Sequence, residues 1–262
     1  MDPGFRGEVA DFYQRYRRGY PPAAIDALAD AFGLSRDDIA VDLGCGTGQL
    51  TLPLARRVRA VAGIDPEPDM LARARQGARD QGITNTTWLI GADTDLPAVG
   101  SLLGHGHIGA LTVAQALHWM DYHALFRAAV PLLRPGGGVA VIANGTPLWL
   151  QDTDWSRALR RFLEQWLDTK TTAACGTDAA SQQRYRDSLT AVGYQTSDAA
   201  VEYDDTLTVE QVTGGVFSAL YPSQLPDPGE REAFTEQIGL ALAPYGPLTE
   251  HVRVAILLGR AG

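Results

Sequence analysis

The run Val41-Asp42-Leu43-Gly44-Cys45-Gly46-Thr47-Gly48-Gln49-Leu50 places three glycines at alternate positions between an apolar stretch and a helical pattern. Glycine lacks the Cβ that holds a backbone away from a ligand and enters positive φ freely, so such a loop admits a small molecule close to the main chain. The spacing departs from the dinucleotide fingerprint Gly-x-Gly-x-x-Gly, whose last place is here Gln49, and no Gly-Lys-Ser/Thr follows for a phosphate loop. Asp65 stands 21 residues beyond Gly44, at the end of the next apolar run. A carboxylate there accepts both hydroxyls of a ribose, which points to an adenosine-type ligand; capping of the helix that follows Pro66 is the alternative. Asp42, inside the motif, is expected to brace the loop through backbone hydrogen bonds. His118 follows a fourth apolar run, and imidazole, with an ordinary pKa of ~6.5, takes a proton at neutral pH. A His-Trp pair packing a pocket wall is the alternative. Cys45 has nothing beside it that reads as a base and is expected to be a small buried filler. His105 and His107 lack a third ligand at metal-binding spacing and read as a solvated loop.

These residues need a sheet to bring them together. Ile39 to Leu43, Ala60 to Asp65, Thr86 to Ile90, Ile108 to Val113 and Val139 to Ala143 read as strands. The last is entered through Arg134-Pro135-Gly136-Gly137-Gly138. Helices are expected over Thr47 to Arg57 and from Pro68, with Met70, Leu71 and Ala74 on one face. Continuous apolar strands between helices predict a parallel sheet covered on both faces. A helix from Pro22 to Phe32 precedes the core and stops at Gly33. Beyond the fifth strand, Trp155, Leu159, Phe162, Leu163 and Trp166 form the apolar face of a helix that Asp152 or Thr153 caps. Further helices are expected near 181–192, 208–220 and 229–243. Tyr194 to Leu207 and His251 to Leu258 alternate like strands.

Asp42-Leu43-Gly44-Cys45-Gly46-Thr47-Gly48 resembles the first motif of the class I S-adenosylmethionine-dependent methyltransferases. Gly91-Ala92-Asp93, Gln115-Ala116-Leu117-His118-Trp119-Met120-Asp121 and Leu132-Leu133-Arg134-Pro135-Gly136-Gly137 extend the resemblance. Tyr16-Arg17-Arg18-Gly19-Tyr20-Pro21 is similar to the lid segment of the trans-aconitate methyltransferase-like subgroup. The resemblance covers about residues 5–145. It implies a Rossmann-like, doubly wound, mostly parallel α/β sheet of seven strands, with an antiparallel last strand and a helical insertion. It also implies S-adenosylmethionine as cofactor, S-adenosylhomocysteine as its product, and a small-molecule acceptor. Gly44, Gly46 and Gly48 would face the amino acid moiety, Asp65 the ribose, and Asp93 the adenine amine, with Asp95 as its alternate. Met70 would pack on the adenine side or in the core. Tyr16, Arg17 and Tyr20 would meet the cofactor carboxylate. Gln49, Pro66, Ala92 and Gln115 join them as cofactor-binding positions. His118 would lie beside the transferred methyl as the candidate base. Trp119, Trp149 and Asp152 are the substrate-side candidates.

One domain over 1–262 is expected: a lid with helices (1–38), the cofactor core (39–145), a largely helical substrate-side region containing one strand (146–248), and the last strand (249–262). With 262 residues, 45% of them apolar, the chain needs no disulfide or metal to form a core. Cys45 and Cys175 resemble no disulfide framework, which suggests a reducing, cytoplasmic setting. A net charge of −9 argues against a phosphate backbone as partner. Residues 1–13 carry acids without an apolar core, so no secretory signal is expected, and no apolar run is long enough for a membrane span. Lys170 is the single lysine against 21 arginines, the coding bias of a GC-rich genome. Asp152, Asp154 and Glu164 suggest an amine-bearing acceptor, such as an amino-sugar-containing secondary metabolite. A cofactor-binding protein without transfer, a nicotinamide oxidoreductase and an RNA methyltransferase are the rivals.

Overall fold

The computed structural model describes residues 4–171 and 175–262, so the first three of the amino-terminal residues read above lie outside it. In chain order the elements are α1 (Glu8–Tyr16), α2 (Pro22–Phe32), β1 (Ile39–Leu43), α3 (Thr51–Ala55), β2 (Ala60–Asp65), α4 (Pro68–Asp80), β3 (Thr86–Ile90), α5 (Leu96–Leu103), β4 (Ile108–Ala114) and α6 (Tyr122–Ala129). They continue with β5 (Leu133–Asn144), α7 (Asp154–Leu167), α8 (Ala179–Val192), β6 (Gln195–Leu207), α9 (Val209–Phe217), α10 (Arg231–Leu242) and β7 (Leu248–Arg260). The seven strands lie in the order β3-β2-β1-β4-β5-β7-β6. The first five pair in parallel and β7 runs antiparallel to β5. This is the doubly wound sheet with a reversed last strand that the sequence implied.

Several boundaries differ from the sequence reading by one to a few residues, β7 beginning at Leu248 instead of His251, and two of the differences have a local cause. α3 begins at Thr51 instead of Thr47, because Gly48 at φ +82° holds the chain out of helical geometry. β5 begins at Leu133, with the Arg134–Gly137 stretch forming a bulge between the pairs Ile108↔Leu133 and Ala110↔Gly138.

Contacts gather the chain into two compact units. One holds residues 19–144, 175–201 and 253–262, and so contains most of the sheet and α8. Its core fills one face with Leu43, Ile64, Leu111, Leu125, Phe126 and Val141, and α8 adds Tyr185 and Leu189. Parallel strands buried on both faces explain why β1 and β4 are nearly continuous apolar runs. The other unit holds residues 1–18, 145–174 and 202–252. There α7, α9 and α10 pack Trp155, Leu159, Phe217, Phe234 and Ile238 together, with Phe12 of α1 against them. Thr153 caps α7 by accepting from the Ser156 N–H. Among the described residues, no helix is long and apolar enough to cross a membrane.

Candidate active site

In an open α/β sheet a ligand enters where the strand order reverses, beyond the carboxyl ends of the strands. Here that point lies between β1 and β4, and the loops leaving both strands carry the candidate residues. Gly44, Gly46 and Gly48 have φ of +68°, +53° and +82°. Gly44 is glycine for a second reason: a β-carbon there would fall 2.5 Å from Cβ of Ala116, in the loop after β4. At Gly48 the obstacle is the Trp88 ring, 2.9 Å away.

Much of the loop's hydrogen-bonding capacity is spent on holding its own shape. The Gly44 and Cys45 N–H groups donate to the Ile64 carbonyl at 2.8 and 3.0 Å, and the Gly48 N–H donates to the Cys45 carbonyl. The Gly46 N–H donates to Oδ2 of Asp65 at 2.8 Å, and the Glu67 N–H to its Oδ1 at 2.9 Å. Each carboxylate oxygen therefore keeps a further acceptor site. Burial raises the Asp65 pKa, and the two backbone bonds oppose that rise. Thr47 is buried beside Gly46, and its hydroxyl finds no hydrogen-bond partner among the described residues.

Asp42 takes one backbone hydrogen bond, from Thr51 just after the loop, but its side-chain partners lie elsewhere than expected. Its carboxylate accepts the Thr51 hydroxyl at 2.5 Å and the Thr112 hydroxyl at 2.8 Å, tying α3 to β4 instead of bracing the glycines. It is 1% exposed, and burial pushes its pKa up to about 6 against those hydrogen bonds. Cys45 is buried as expected, and burial pushes its thiol pKa up, which suits a filler and not a nucleophile.

Pro66 is exposed, and Met70 is buried in the core-facing side of α4. After β3, Oδ2 of Asp95 accepts the Ala92 N–H and so caps its own turn. Oδ2 of Asp93 accepts the Asp121 N–H at 3.1 Å, linking the loops after β3 and β4. Gln115 follows β4 directly at φ +57°, a value that only a few per cent of non-glycine residues adopt. Its N–H donates to the Ile142 carbonyl and its Nε2 to the Asn144 carbonyl. Such an outlier at a strand's carboxyl end is a frequent mark of a functional loop. Gln49 and Tyr20 are half-buried in the same unit.

His118 sits in the short 3-10 turn Leu117–Trp119, its ring centroid 5.0 Å from that of Trp119. Burial lowers its pKa, so the imidazole is neutral at pH 7 and able to accept a proton. It lines a small pocket with Val113, Gln115, Gln182 and Tyr185. Trp119 is 45% exposed. Sequence reasoning missed Gln182 and Tyr185. Helical spacing marks Tyr185 only as an apolar-face residue, and nothing local says that α8 packs beside the turn after β4.

The remaining candidates lie in the helical unit. The Tyr16 hydroxyl donates to Glu210 at 2.8 Å, and Arg17 donates to the Ser218 hydroxyl at 2.8 Å. Trp149 is half-buried against that unit's aromatic core. Asp152 is fully exposed and ion-paired with Arg157 at 2.6 Å. Asp154 faces the same arginine, while Glu164 pairs with Arg160 and Lys170, which hold its pKa down to about 2. The acids that suggested a cationic acceptor are thus already matched by cations of this chain.

Residues 40–137 match a family model described as a methyltransferase domain. An uncharacterised methyltransferase of Mycobacterium tuberculosis is 35% identical over 138 residues, which are 53% of this chain and 51% of that protein. The chain spans about half the length of the curated relatives it matches. A candidate type II methyltransferase from Anaeromyxobacter dehalogenans shares the fold, with a TM-score of 0.63 and 20% identity over 94% of this chain and 98% of that one. The geranyl diphosphate C-methyltransferase of Streptomyces coelicolor, solved with Mg2+, geranyl-S-thiolodiphosphate and S-adenosyl-L-homocysteine, has a TM-score of 0.50 and 18% identity, covering 91% of this chain and 76% of that one.

Proposed function

We propose, from the match of residues 40–137 to the methyltransferase domain family, that this chain moves a methyl group from S-adenosylmethionine to a nitrogen or oxygen of a small molecule. The observation that carries the reading is the meeting of the glycine loop and the His118 turn at the sheet's switch point, where Gly44 lies against Ala116. The donor set suits the cofactor. Asp65 keeps an acceptor site on each oxygen for a ribose, and the Thr47 hydroxyl is buried without a partner. When bound, the cofactor supplies a methyl carbon already activated by a positive sulfur.

Within the sheet unit, Gly44, Gly46, Gly48 and Gln49 are assigned to its amino acid portion, and Asp65 with Pro66 to the ribose. Met70, Ala92 and Asp93 are assigned to the adenine side. Gln115 and Tyr20 complete the set. A methyl so activated asks the protein for alignment more than for covalent help, and orientation supplies about 7–11 kcal/mol of such barriers. Neutral His118 is assigned the acceptor's proton.

The acceptor is read as a small molecule because the chain is net acidic, at −9. An amino-sugar-containing secondary metabolite is the class to try first, on the sequence reading of its source. The matched acids at Asp152, Asp154 and Glu164 give that class no support from the helical unit. Two cysteines far apart in sequence favour a cytoplasmic setting.

The deciding experiment incubates the chain with methyl-labelled S-adenosylmethionine and a panel of amine- and hydroxyl-bearing metabolites, then reads products by mass spectrometry. Label on a small molecule supports the proposal. Cofactor binding without label on any acceptor favours a binding protein, and no cofactor binding overturns the reading of the loop.

A further inference from the structure

We infer that Trp88 is a positioning residue for the cofactor loop: its indole fills the place of a side chain at Gly63, reaches across β2 and backs the Gly48 end of the loop, so that cofactor affinity depends on the far edge of the ring. This rests on the methyltransferase reading and adds to it a residue that acts through the loop.

Trp88 of β3 stands opposite Gly63 of β2 in the parallel register, so the two face the same side of the sheet. A β-carbon at Gly63 would fall 2.7 Å from both Cε3 and Cζ3 of the indole, and one at Gly48 would fall 2.9 Å from its Cη2. The benzo edge of a single half-buried ring therefore spans the distance between the two glycines. Ala74 of α4 and Leu52 of α3 each stand 3.4 Å from the same point at Gly48, so the ring ends where both helices meet the loop. Gly48, at φ +82°, would be glycine for its backbone alone. Gly63 has no such reason. It sits inside β2 without a positive φ, a place where glycine weakens a strand and marks a close approach. The indole is what approaches.

The loop hangs on successive residues of β2. The Gly44 and Cys45 N–H groups donate to the Ile64 carbonyl, and the Gly46 N–H donates to Asp65. At the far end, the Gly48 N–H donates to the Cys45 carbonyl, and the Gly48 carbonyl accepts the Leu52 N–H, each at 2.9 Å. Those bonds stay within the loop and its own helix. The Trp88 ring joins that end to the sheet, one residue before Ile64. A binding loop keeps its shape through the packing behind it, and loosening that packing costs affinity without removing any contact to the ligand.

Calorimetry with S-adenosylhomocysteine, and amide hydrogen exchange at residues 44–48 of the unliganded chain, test the assignment at a temperature where every variant is folded. Trp88→Leu keeps an apolar side chain on β3 and removes the benzo edge. It should weaken binding about fivefold or more, the scale of one net hydrogen bond, and speed exchange at 44–48. Trp88→Phe keeps a ring on the strand but shortens its reach to Gly48. It should move both readouts in the same direction, and it decides alone if the leucine variant does not fold. Gly63→Ala should weaken binding by itself and lose most of that effect beside Trp88→Leu, where the added methyl finds room. A ring with a merely structural role would lower the melting temperature and leave affinity and loop exchange unchanged. That result overturns the inference, as does a change in one readout without the other, or a Gly63→Ala effect equal in both backgrounds. Absence of heat with the wild-type chain sinks the cofactor reading instead, and exchange at 44–48 then still decides whether the ring braces the loop.

Discussion

Asp65 already holds the Gly46 and Glu67 N–H groups, so its removal should loosen the loop and delete the ribose acceptor together. Asp65→Ala is expected to weaken S-adenosylmethionine binding at least about tenfold, the scale of one charged hydrogen-bonding group; titration calorimetry showing unaltered affinity would refute the ribose assignment. His118→Ala, by contrast, should leave that affinity nearly intact and cut turnover by about 10²–10⁴. Because burial lowers the His118 pKa, the acid limb of the wild-type turnover profile should have its midpoint below the ordinary ~6.5 and disappear in the variant. Asp42 makes a different prediction. Its folded pKa of about 6 exceeds the unfolded ~3.8, so the folded state binds the extra proton. The stability that this adds is complete below the unfolded value and is lost as pH rises through 6. Asp42→Asn does not titrate. Its stability relative to wild type should therefore rise by about 2 kcal/mol between pH 4 and pH 7 in urea denaturation. At this scale the sequence revealed chemistry through spacing, as with the glycines and Asp65. It could not reveal Tyr185, because a tyrosine on an apolar helical face looks the same whether its hydroxyl meets a pocket or solvent.

Elements were legible where one local rule dominated. β1, β2 and β3 fall on the expected residues because buried parallel strands are written as short apolar or β-branched runs between turn signals. α2 ends at Gly33, whose φ of +57° makes it the left-handed cap that stops a helix. The errors arose where two rules competed. The apolar pattern after Gly46 argues for helix while Gly48 opposes it, and the glycine wins for the first turn. Asp152 and Thr153 both read as caps for α7; the threonine takes the role and the aspartate turns to Arg157. Packing between distant elements stayed invisible. α1 rests on α9 at Gly214, where a β-carbon would fall 2.2 Å from the Tyr16 ring. Since Phe12 and Tyr16 lie along that contact, Gly214→Ala should displace α1 and destabilise the helical unit by about 1–3 kcal/mol. Faster amide hydrogen exchange confined to residues 8–16 is the expected readout, and unchanged protection there would show that α1 does not depend on this close approach.

Charge is a property of the whole chain, and it is the ground on which the proposal prefers a small-molecule acceptor to RNA. A protein that grips RNA must neutralise several phosphates, and each contact adds to a steep loss of affinity with salt. This chain carries 22 basic residues against 31 acids. Many of the basic residues are already engaged: Arg15 with Glu210, Arg18 with Glu250, Arg134 with Asp38, Arg186 with Asp198 and Arg231 with Glu8. Releasing them to phosphate would strip carboxylates of their partners, and Glu250 is buried enough for that to matter. Label from S-adenosylmethionine, offered to a mixture of total RNA and a small-molecule extract, should therefore enter the small-molecule fraction only. Retention of the chain on RNA at about 50 mM salt should be weak and fall little as salt is raised, because few counterions are there to be released. Label in RNA, or a steep salt dependence of retention, would mean that a local basic surface outweighs the net charge, and the small-molecule proposal would give way to RNA methylation.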